Sequence, residues 1–242
     1  MVIADPAAEL VQLVRRQGDP ASVPVGEAIS DHPLVSGADR RAALLIRRRF
    51  GLSLPPPFAG AADADMPVRA ASAMDGPAIA AVKWRAFGAN YRGGILPDTF
   101  LDGRAVVPPA SFWTGRAMVP PSRRHRLLVW GRPGTVFGYL DCGPVHPEDA
   151  APGMGEAGEV YELYVDPSAQ GRGGGSLLLG QAQDWLAAAG FSRQELSVLA
   201  LNSGAQAFYR HHGWAPTGAV THVDLGTVAF DEARFQRLLI SE

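Results

Sequence analysis

The sequence predicts an α/β protein in which helices flank a central sheet of mixed strand direction. Strand-like and helical patterns alternate after residue 67, and two of the early strands follow each other as a hairpin, which a purely parallel sheet does not allow. Before them, the segment LSLPPPFAGAADADMP at 52–67 has three consecutive prolines and no apolar periodicity, as linkers do. We therefore expect a helical extension with its linker at 1–66 and one main domain at 67–242.

The extension contains two helical patterns, Pro6–Arg16 and Ala38–Phe50, and Gly51 is a plausible stop for the second. The second pattern carries five arginines around an apolar stripe. Packing onto the main domain or onto a second subunit is the expected use, so a homodimer stays open. Contact with nucleic acid is the alternative, although the net charge of −2 argues against a polycation built for that purpose.

The main domain begins with a strand at Val68–Ala71 and a helix that starts at Ser72 or Asp75 and runs to about Phe87. The stretch VVPPASFWTGRAMVPPSRRHR is interpreted as a Pro-rich loop. In the helix that runs to about Phe87, Ile79, Val82, Lys83 and Ala86 lie at helical spacing.

The rest of the domain alternates between strands and helices. The turn GRPG joins the first two strands as a hairpin. The predicted elements are strands Arg126–Trp130 and Thr135–Cys142, strand Glu159–Val165, helix Gly171–Ala189, strand Glu195–Leu201, helix Ser203–His212 and strand Val220–Ala229.

Composition excludes several classes of site. Cys142 is the only cysteine among 242 residues, so an intrachain disulfide and a multi-cysteine metal centre are excluded. The adjacent His211 and His212 diverge on a helix and make poor joint ligands, and we predict no metal. No apolar run approaches the ~20 residues needed to span a bilayer, and the amino terminus lacks a secretion signal. We expect a soluble, cytoplasmic protein that does not bind membranes.

The segment QGRGGG at 170–175 lies between a predicted strand and a predicted helix. Glycines leave the backbone N–H groups accessible, and a helix N-terminus carries a partial positive charge, so such a turn can hold a pyrophosphate. A flexible turn is the alternative. A Walker A loop requires a lysine between its last glycine and the Ser or Thr, but here Gly175 is followed directly by Ser176. A dinucleotide-binding fingerprint requires an acidic residue at the end of the next strand, but that strand ends in Leu201 and Asn202. Neither phosphate-binding motif fits this segment.

These motifs resemble the GNAT superfamily of acyl-CoA-dependent N-acyltransferases. QGRGGG fits the family signature Gln/Arg-x-x-Gly-x-Gly/Ala, and NSGAQAFYRHHGW at 202–214 is similar to the family's asparagine, Phe-Tyr helix and glycine-aromatic pair. A weaker match is AFGANYRGGILPD. The resemblance covers about 67–242 and implies a GNAT-like mixed, mostly antiparallel sheet flanked by helices, with acetyl-CoA as co-substrate.

The resemblance also implies a set of cofactor-binding residues. The loop would hold the pyrophosphate through its N–H groups, and the preceding strand would pair with pantetheine and stabilise the oxyanion. Core pairing of the strand, a solvent-facing Arg172 and a purely capping Asn202 are the alternatives. The predicted residues are Leu163, Tyr164, Val165, Gln170, Gly171, Arg172, Gly173, Gly174, Gly175, Ser176 and Asn202.

Two side chains are candidates for proton transfer. By the resemblance, Tyr209 would protonate the departing thiolate, and its alternative role is packing beside Phe208. Glu162 is the candidate base, with a water chain as the alternative. Glu159, three residues earlier, is expected on the opposite face because side chains alternate along a strand.

The predicted function is direct transfer of an acetyl group from acetyl-CoA to a primary amine of a small molecule or a peptide. The sequence shows no Ser–His–Asp pattern, so a covalent acyl-enzyme intermediate has little support. A non-catalytic acyl-CoA-binding regulator with the same fold is the alternative. Six arginines between 103 and 140 would contact an anionic group or form a solvated loop.

Overall fold

The computed structural model describes residues 66–98, 101, 108–146, 156–224 and 228–238. The two expected helices of the extension and nearly all of the linker lie outside these residues. The division of the chain at residue 66 therefore stays a prediction. The mixed sheet flanked by helices is confirmed in the part of the chain that the structure describes.

One sheet contains the strands of the described residues: β1 (Val68–Ala70), β2 (Arg126–Arg132), β3 (Thr135–Pro144), β4 (Gly158–Val165), β5 (Arg193–Leu199), β6 (Ala215–Asp224) and β7 (Ala229–Leu238). Their order across the sheet is β1–β2–β3–β4–β5–β7–β6. Every neighbouring pair is antiparallel except β4 and β5, which run parallel. The only parallel contact therefore lies near the middle of this sheet.

Helices α1 (Gly76–Tyr91) and α2 (Ala110–Met118) cover one face of the sheet, while α3 (Gly174–Ala188) and α4 (Ser203–His211) cover the other. Lys83 of α1 reaches a β4 carboxylate on the first face, which we call the α1/α2 face. On the second face, the α3/α4 face, a Cβ at Gly138 would meet Leu178 of α3. Within the described residues, no helix is both long and apolar enough to cross a membrane.

Helix α1 begins where local polar contacts fix the backbone. The Asp75 carboxylate accepts hydrogen bonds from the N–H and hydroxyl of Ser72 and from the Arg69 guanidinium, all at 2.8 Å. Such a capping box satisfies donors that a helix start leaves without partners. The first turn of α1 then contacts α2 closely, because a Cβ at Gly76 would lie 2.2 Å from the Thr114 hydroxyl oxygen.

Two predictions of secondary structure are wrong. Helix α2 lies in the stretch interpreted as a loop, because Pro109 occupies its N-cap and Pro120 follows its end, so neither proline interrupts it. The final strand predicted at Val220–Ala229 is instead parts of β6 and β7. β6 is exposed at almost every residue, and β7 contains charged residues among its apolar ones without a regular alternation, so neither shows a plain apolar pattern.

Candidate active site

Strands β4 and β5 separate soon after they begin. Parallel pairing joins only Gly158 to Gln194 and Glu159 to Glu195. Beyond these pairs β4 stays hydrogen-bonded to β3, and β5 stays bonded to β7. The two edges that face each other have no ladder partner over the rest of their length. A backbone edge of this kind is a binding surface for an extended ligand that carries its own amides.

The glycine-rich turn leads directly from β4 into α3. The first hydrogen bond of this helix runs from the Leu177 N–H to the Gly173 carbonyl at 3.0 Å, so the N–H groups of Gly174, Gly175 and Ser176 have no partner within the helix. The helix was predicted to start at Gly171 and starts three residues later. The free N–H groups and the helix dipole together favour an anion at this position.

Glycine is required at two positions of this turn for separate physical reasons. Gly173, the N-cap, has φ +83°, a left-handed conformation that side chains other than glycine adopt at a cost, while the space beside it is open. At Gly174 a Cβ would lie 2.2 Å from the indole of Trp130 on β2. Gly174 therefore lets the helix start approach the sheet closely, and Gly173 supplies the left-handed turn that leads into the helix.

Side chains hold the turn against its surroundings. The buried Asp166 carboxylate accepts hydrogen bonds from Arg85 of α1 at 2.6 Å and from the Ser168 N–H at 3.0 Å. The Gln170 amide donates to the Val165 carbonyl at 3.2 Å. Gln170, a predicted cofactor-binding residue, therefore holds the loop in place with its side chain.

Asn202 lies at the end of β5 and begins α4. Its Oδ1 accepts a hydrogen bond from the Ala205 N–H at 3.0 Å, so the capping role is present. Its Nδ2 is buried and has no hydrogen-bond partner among the described residues. A buried donor without a partner is costly, so an acceptor from a ligand would be favourable there.

Tyr209 lies on α4 and is fully buried on the α3/α4 face. Its ring packs at 6.1 Å from the Trp214 ring and 6.4 Å from the Phe235 ring, as centroid distances. The packing role that was an alternative for this residue is therefore present. Its role as an acid stays a prediction.

Helix α4 also contacts the first turn of α3. The His212 Nε2 lies 3.0 Å from the Ser176 hydroxyl, and the Phe208 ring lies 4.5 Å from the His212 ring. Burial lowers the pKa of His212, and the neighbouring His211 lowers it further. The helix that carries Tyr209 is thus joined directly to the turn that would hold a phosphate.

On the other face, a β-bulge changes the alternation of β4. Asp141 pairs with Glu162, but the next residue of β3, Cys142, pairs with Val160, so Tyr161 is an extra residue in β4. Because of this insertion, Glu159 and Glu162 lie on the same face of the sheet. The expectation that they lie on opposite faces is wrong.

Glu162 is almost completely enclosed, with 1% of the residue exposed. Its Oε1 accepts a hydrogen bond from the Lys83 ammonium at 2.9 Å, and its Oε2 accepts one from the Tyr139 hydroxyl at 2.5 Å. The Lys83 nitrogen also lies 5.5 Å from the centre of the Trp113 ring. Lys83, Tyr139 and Trp113 are fully buried as well, so the site is a water-poor ion pair between α1 and β4.

The surroundings perturb the ionisable groups of this ion pair. Burial lowers the pKa of Lys83, and the charge and hydrogen bond of Glu162 oppose that shift. Burial raises the pKa of Tyr139 well above its usual value, and the neighbouring Glu162 raises it further. A tyrosine hydroxyl in this position therefore stays a hydrogen-bond donor to the carboxylate at neutral pH.

The remaining predicted residues have defined surroundings. Arg116 of α2 pairs with Asp141 at 2.9 Å, and both side chains are 8% exposed, so this arginine is the partner of a buried carboxylate. Cys142 is fully buried, and burial raises the pKa of its thiol. Among the described residues no group of three or more His, Cys, Asp and Glu could hold a metal ion, and the absence of a metal stays a prediction.

Comparison with known proteins agrees with the motifs. Residues 98–214 match the model of the Acetyltransferase (GNAT) family. Over these residues the chain is similar to this family. The predicted resemblance, which rested on the glycine-rich turn and the asparagine motif, is confirmed.

Two GNAT relatives share part of the sequence. A mycothiol acetyltransferase from Beutenbergia cavernae is 51% identical over 59 residues, which are 24% of this chain and 20% of that protein. One from Nocardioides sp. is 42% identical over 82 residues, which are 33% of this chain and 28% of that protein. The matched segments thus span less than a third of the length of either relative.

A solved structure shares the fold. The PaiA N-acetyltransferase from Thermoplasma acidophilum, in complex with coenzyme A, superimposes with a TM-score of 0.54 over 72% of this chain and 98% of that chain. The two sequences are 15% identical. This similarity shows a common GNAT fold.

Sequence reasoning missed three residues that the structure places around the candidate base and the strand separation: Lys83, Tyr139 and Arg234. Lys83 carried a signal, because it is a charged residue within the apolar stripe of α1. A charge in such a position indicates a buried partner. Arg234 gave none, because β7 was not recognised as a strand.

Proposed function

We propose that this protein transfers an acetyl group from acetyl-CoA directly to a primary amine of a small molecule or a peptide. The separation of β4 and β5 beside the N-terminus of α3 carries the proposal. It supplies two adjacent surfaces, one suited to an amide-containing arm and one to a pyrophosphate. The names of the relatives, which are acetyltransferases, support the same reaction.

In this proposal the pyrophosphate lies on the N–H groups between Gly171 and Ser176. The pantetheine arm follows the free edge of β4 at Leu163, Tyr164 and Val165. The buried Nδ2 of Asn202 donates to a carbonyl of that arm, which removes the cost of leaving this donor without a partner. A backbone N–H of β4 stabilises the thioester oxygen as it gains negative charge.

Tyr209 and Glu162 lie on opposite faces of the sheet, so a thioester between the separated strands has one candidate on each side. The amine nitrogen forms a bond to the carbonyl carbon while the carbon–sulfur bond breaks. Sulfur leaves with the bonding electrons and takes the Tyr209 proton. The proton lost by the amine goes to Glu162, through the Tyr139 hydroxyl or a water, because Glu162 itself is enclosed.

The proposal is tested by following thiol release from acetyl-CoA across a panel of primary amines. Calorimetric titration with coenzyme A is run beside it on the same protein. We expect coenzyme A to bind and at least one amine to raise thiol release above the rate without amine. A protein that fails to bind coenzyme A contradicts the proposal at its first step.

One observation favours a second candidate, a non-catalytic acyl-CoA-binding regulator. Both candidate proton-transfer residues are enclosed, with Tyr209 at 0% and Glu162 at 1% exposure. A regulator would bind coenzyme A and acetyl-CoA in the titration and release no thiol with any amine. The two assays together therefore separate the two candidates.

A further inference from the structure

We propose that Arg234 is a positioning residue for the cofactor cleft, because its guanidinium joins β4 to β5 at the point where these strands separate. The proposal rests on the proposed function, in which pantetheine lies between the two strands. It concerns a side chain of β7 on the α1/α2 face, outside the glycine-rich turn and outside the candidate proton-transfer residues.

The contacts of Arg234 connect three strands. Its Nη1 donates to Glu159 Oε1 of β4 at 2.6 Å and to the Ser197 hydroxyl of β5 at 3.0 Å. Its Nε and Nη2 donate to Glu195 Oε2 of β5 at 3.0 and 2.8 Å. We call this group of Arg234, Glu159, Glu195 and Ser197 the clasp.

The clasp lies at the end of the parallel ladder. Glu159 and Glu195 are directly opposite each other and form the last β4–β5 pair before the strands diverge. From Glu159 to Leu163 the strand advances about 10 Å at roughly 3.3 Å per residue, because the bulge at Tyr161 leaves these four steps opposite only three steps of β3. A tilt of about 5° at the clasp would therefore move the backbone at Leu163 by about 1 Å, an error that costs on the order of 10²-fold in a positioned reaction.

Burial makes the clasp stiffer than a surface ion pair. The side chains of Arg234 and Glu159 are 17% and 5% exposed, so water competes little for their hydrogen bonds. Burial alone would lower the pKa of Arg234, but the charges and hydrogen bonds of Glu159 and Glu195 raise it. The guanidinium therefore stays charged, and its planar donors fix the direction of both carboxylates.

Arg193 provides a matched control. It donates to the other oxygen of the same carboxylate, Glu195 Oε1, at 2.6 Å, and its side chain is 9% exposed. Arg193 lies on β5 itself, two residues from Glu195, so this ion pair joins no two strands. Replacing Arg193 thus removes a buried charge pair of Glu195 and leaves the contacts from Arg234 to β4 in place.

The experiment compares calorimetric binding of coenzyme A with that of 3′-phosphoadenosine 5′-diphosphate, which is coenzyme A without its pantetheine arm. In Arg234→Gln we expect coenzyme A to bind at least about tenfold more weakly, while the nucleotide binds within about twofold of the parent. In Arg193→Gln we expect both ligands to bind within about twofold of the parent. Partial unfolding would instead weaken both ligands together.

A second variant covers the case in which Arg234→Gln fails to fold. Glu159→Gln keeps an oxygen that can accept from Arg234 and removes only the charge, and we expect about threefold weaker binding of coenzyme A alone. Unchanged affinity for coenzyme A, or equal weakening of both ligands, overturns the proposal in either variant. If the parent protein itself binds no coenzyme A, the proposed function is overturned, which is a different result.

Discussion

The two faces of the sheet present polar groups of different kinds. On the α3/α4 face the candidate contacts are backbone N–H groups, which three successive residues of a helix start present, and a single buried asparagine amide. On the α1/α2 face the polar atoms belong to paired side chains, such as Lys83 with Glu162 and Arg234 with Glu159. Backbone N–H groups do not depend on the chemistry of a side chain, although this turn requires Gly173 and Gly174, whereas a network of buried charges depends on each of its members.

The two kinds of site also differ in how far their parts lie apart in the sequence. The glycine-rich turn lies within six consecutive residues, 170–175. Lys83 and Glu162 are separated by 79 positions, and Arg234 and Glu159 by 75. A local motif for the cofactor can thus coexist with a charged face that only the complete fold assembles. We expect substitutions in the turn to act locally on cofactor binding, and substitutions in the charged face to act through partners that are distant in the sequence.

The largest effect is expected from Tyr209→Phe, which tests whether the α3/α4 face also supplies a proton. Removing the hydroxyl should lower kcat by about 10²–10⁴-fold and change the apparent affinity for acetyl-CoA little, because a general acid acts on the departing thiolate. Steady-state kinetics with any accepted amine measures this. The control is Tyr91→Phe, which removes a buried hydroxyl on α1. If Tyr209→Phe keeps most of its turnover, Tyr209 has only a packing role.

The next largest effect concerns the ion pair of the α1/α2 face. Lys83→Met would leave the Glu162 carboxylate buried without its ammonium partner, and breaking such a pair costs about 3–5 kcal/mol. We expect a lower midpoint of urea unfolding than in the parent. Circular dichroism in increasing urea measures that midpoint.

The control for this prediction is the double variant Lys83→Met with Glu162→Gln. Removing the second charge should restore most of the lost stability, because no unpaired charge remains in the interior. If the double variant is as unstable as Lys83→Met alone, packing around the lysine stem explains the loss. The contrast between a charged face and a backbone face would then weaken.

A smaller effect is expected on the cofactor side, where Gly173→Asp is compared with Gly173→Asn. Both side chains have the same shape, and asparagine tolerates the left-handed backbone at φ +83°, so the pair differs in charge alone. A carboxylate near a bound pyrophosphate should weaken coenzyme A binding by at least about tenfold relative to the asparagine variant. Calorimetry measures the ratio of the two affinities. Equal affinities would show that the pyrophosphate does not bind at this turn.

The sequence predicted the elements whose signals are local. The hairpin of β2 and β3, the glycine-rich turn and the Asn202 cap all lie within short segments, and all are present. The sequence did not predict the bulge at Tyr161, because a bulge depends on the register of two strands. It missed β7 because Glu232 and Arg234 lie between Phe230 and Phe235 without a regular alternation, and the sequence alone does not distinguish a buried charged residue from a surface one.

The clasp and the Lys83 ion pair are both buried charged groups that the sequence pattern does not reveal. In each case the pattern predicts either an apolar core or a solvated surface at that position. Their partners come from β4, β5, β7 and α1, which are adjacent only in the folded sheet. Each buried charge has a partner that offsets part of the cost of its burial, and composition gives no sign of the pairing.

The smallest effect is expected from Asp75, the charged group at the start of α1. Burial alone would raise its pKa, but hydrogen bonds from Arg69 and Ser72 outweigh burial and lower the pKa from its ordinary 3.8 to about 2. The unfolded chain therefore takes up this proton first, so the contribution of Asp75 to stability is complete above pH 3.8 and is lost as the pH falls to about 2. Asp75→Asn should flatten this part of the stability profile. Urea unfolding at several pH values between 4 and 2 measures the slope, and equal slopes in parent and variant would assign the acid sensitivity to other carboxylates.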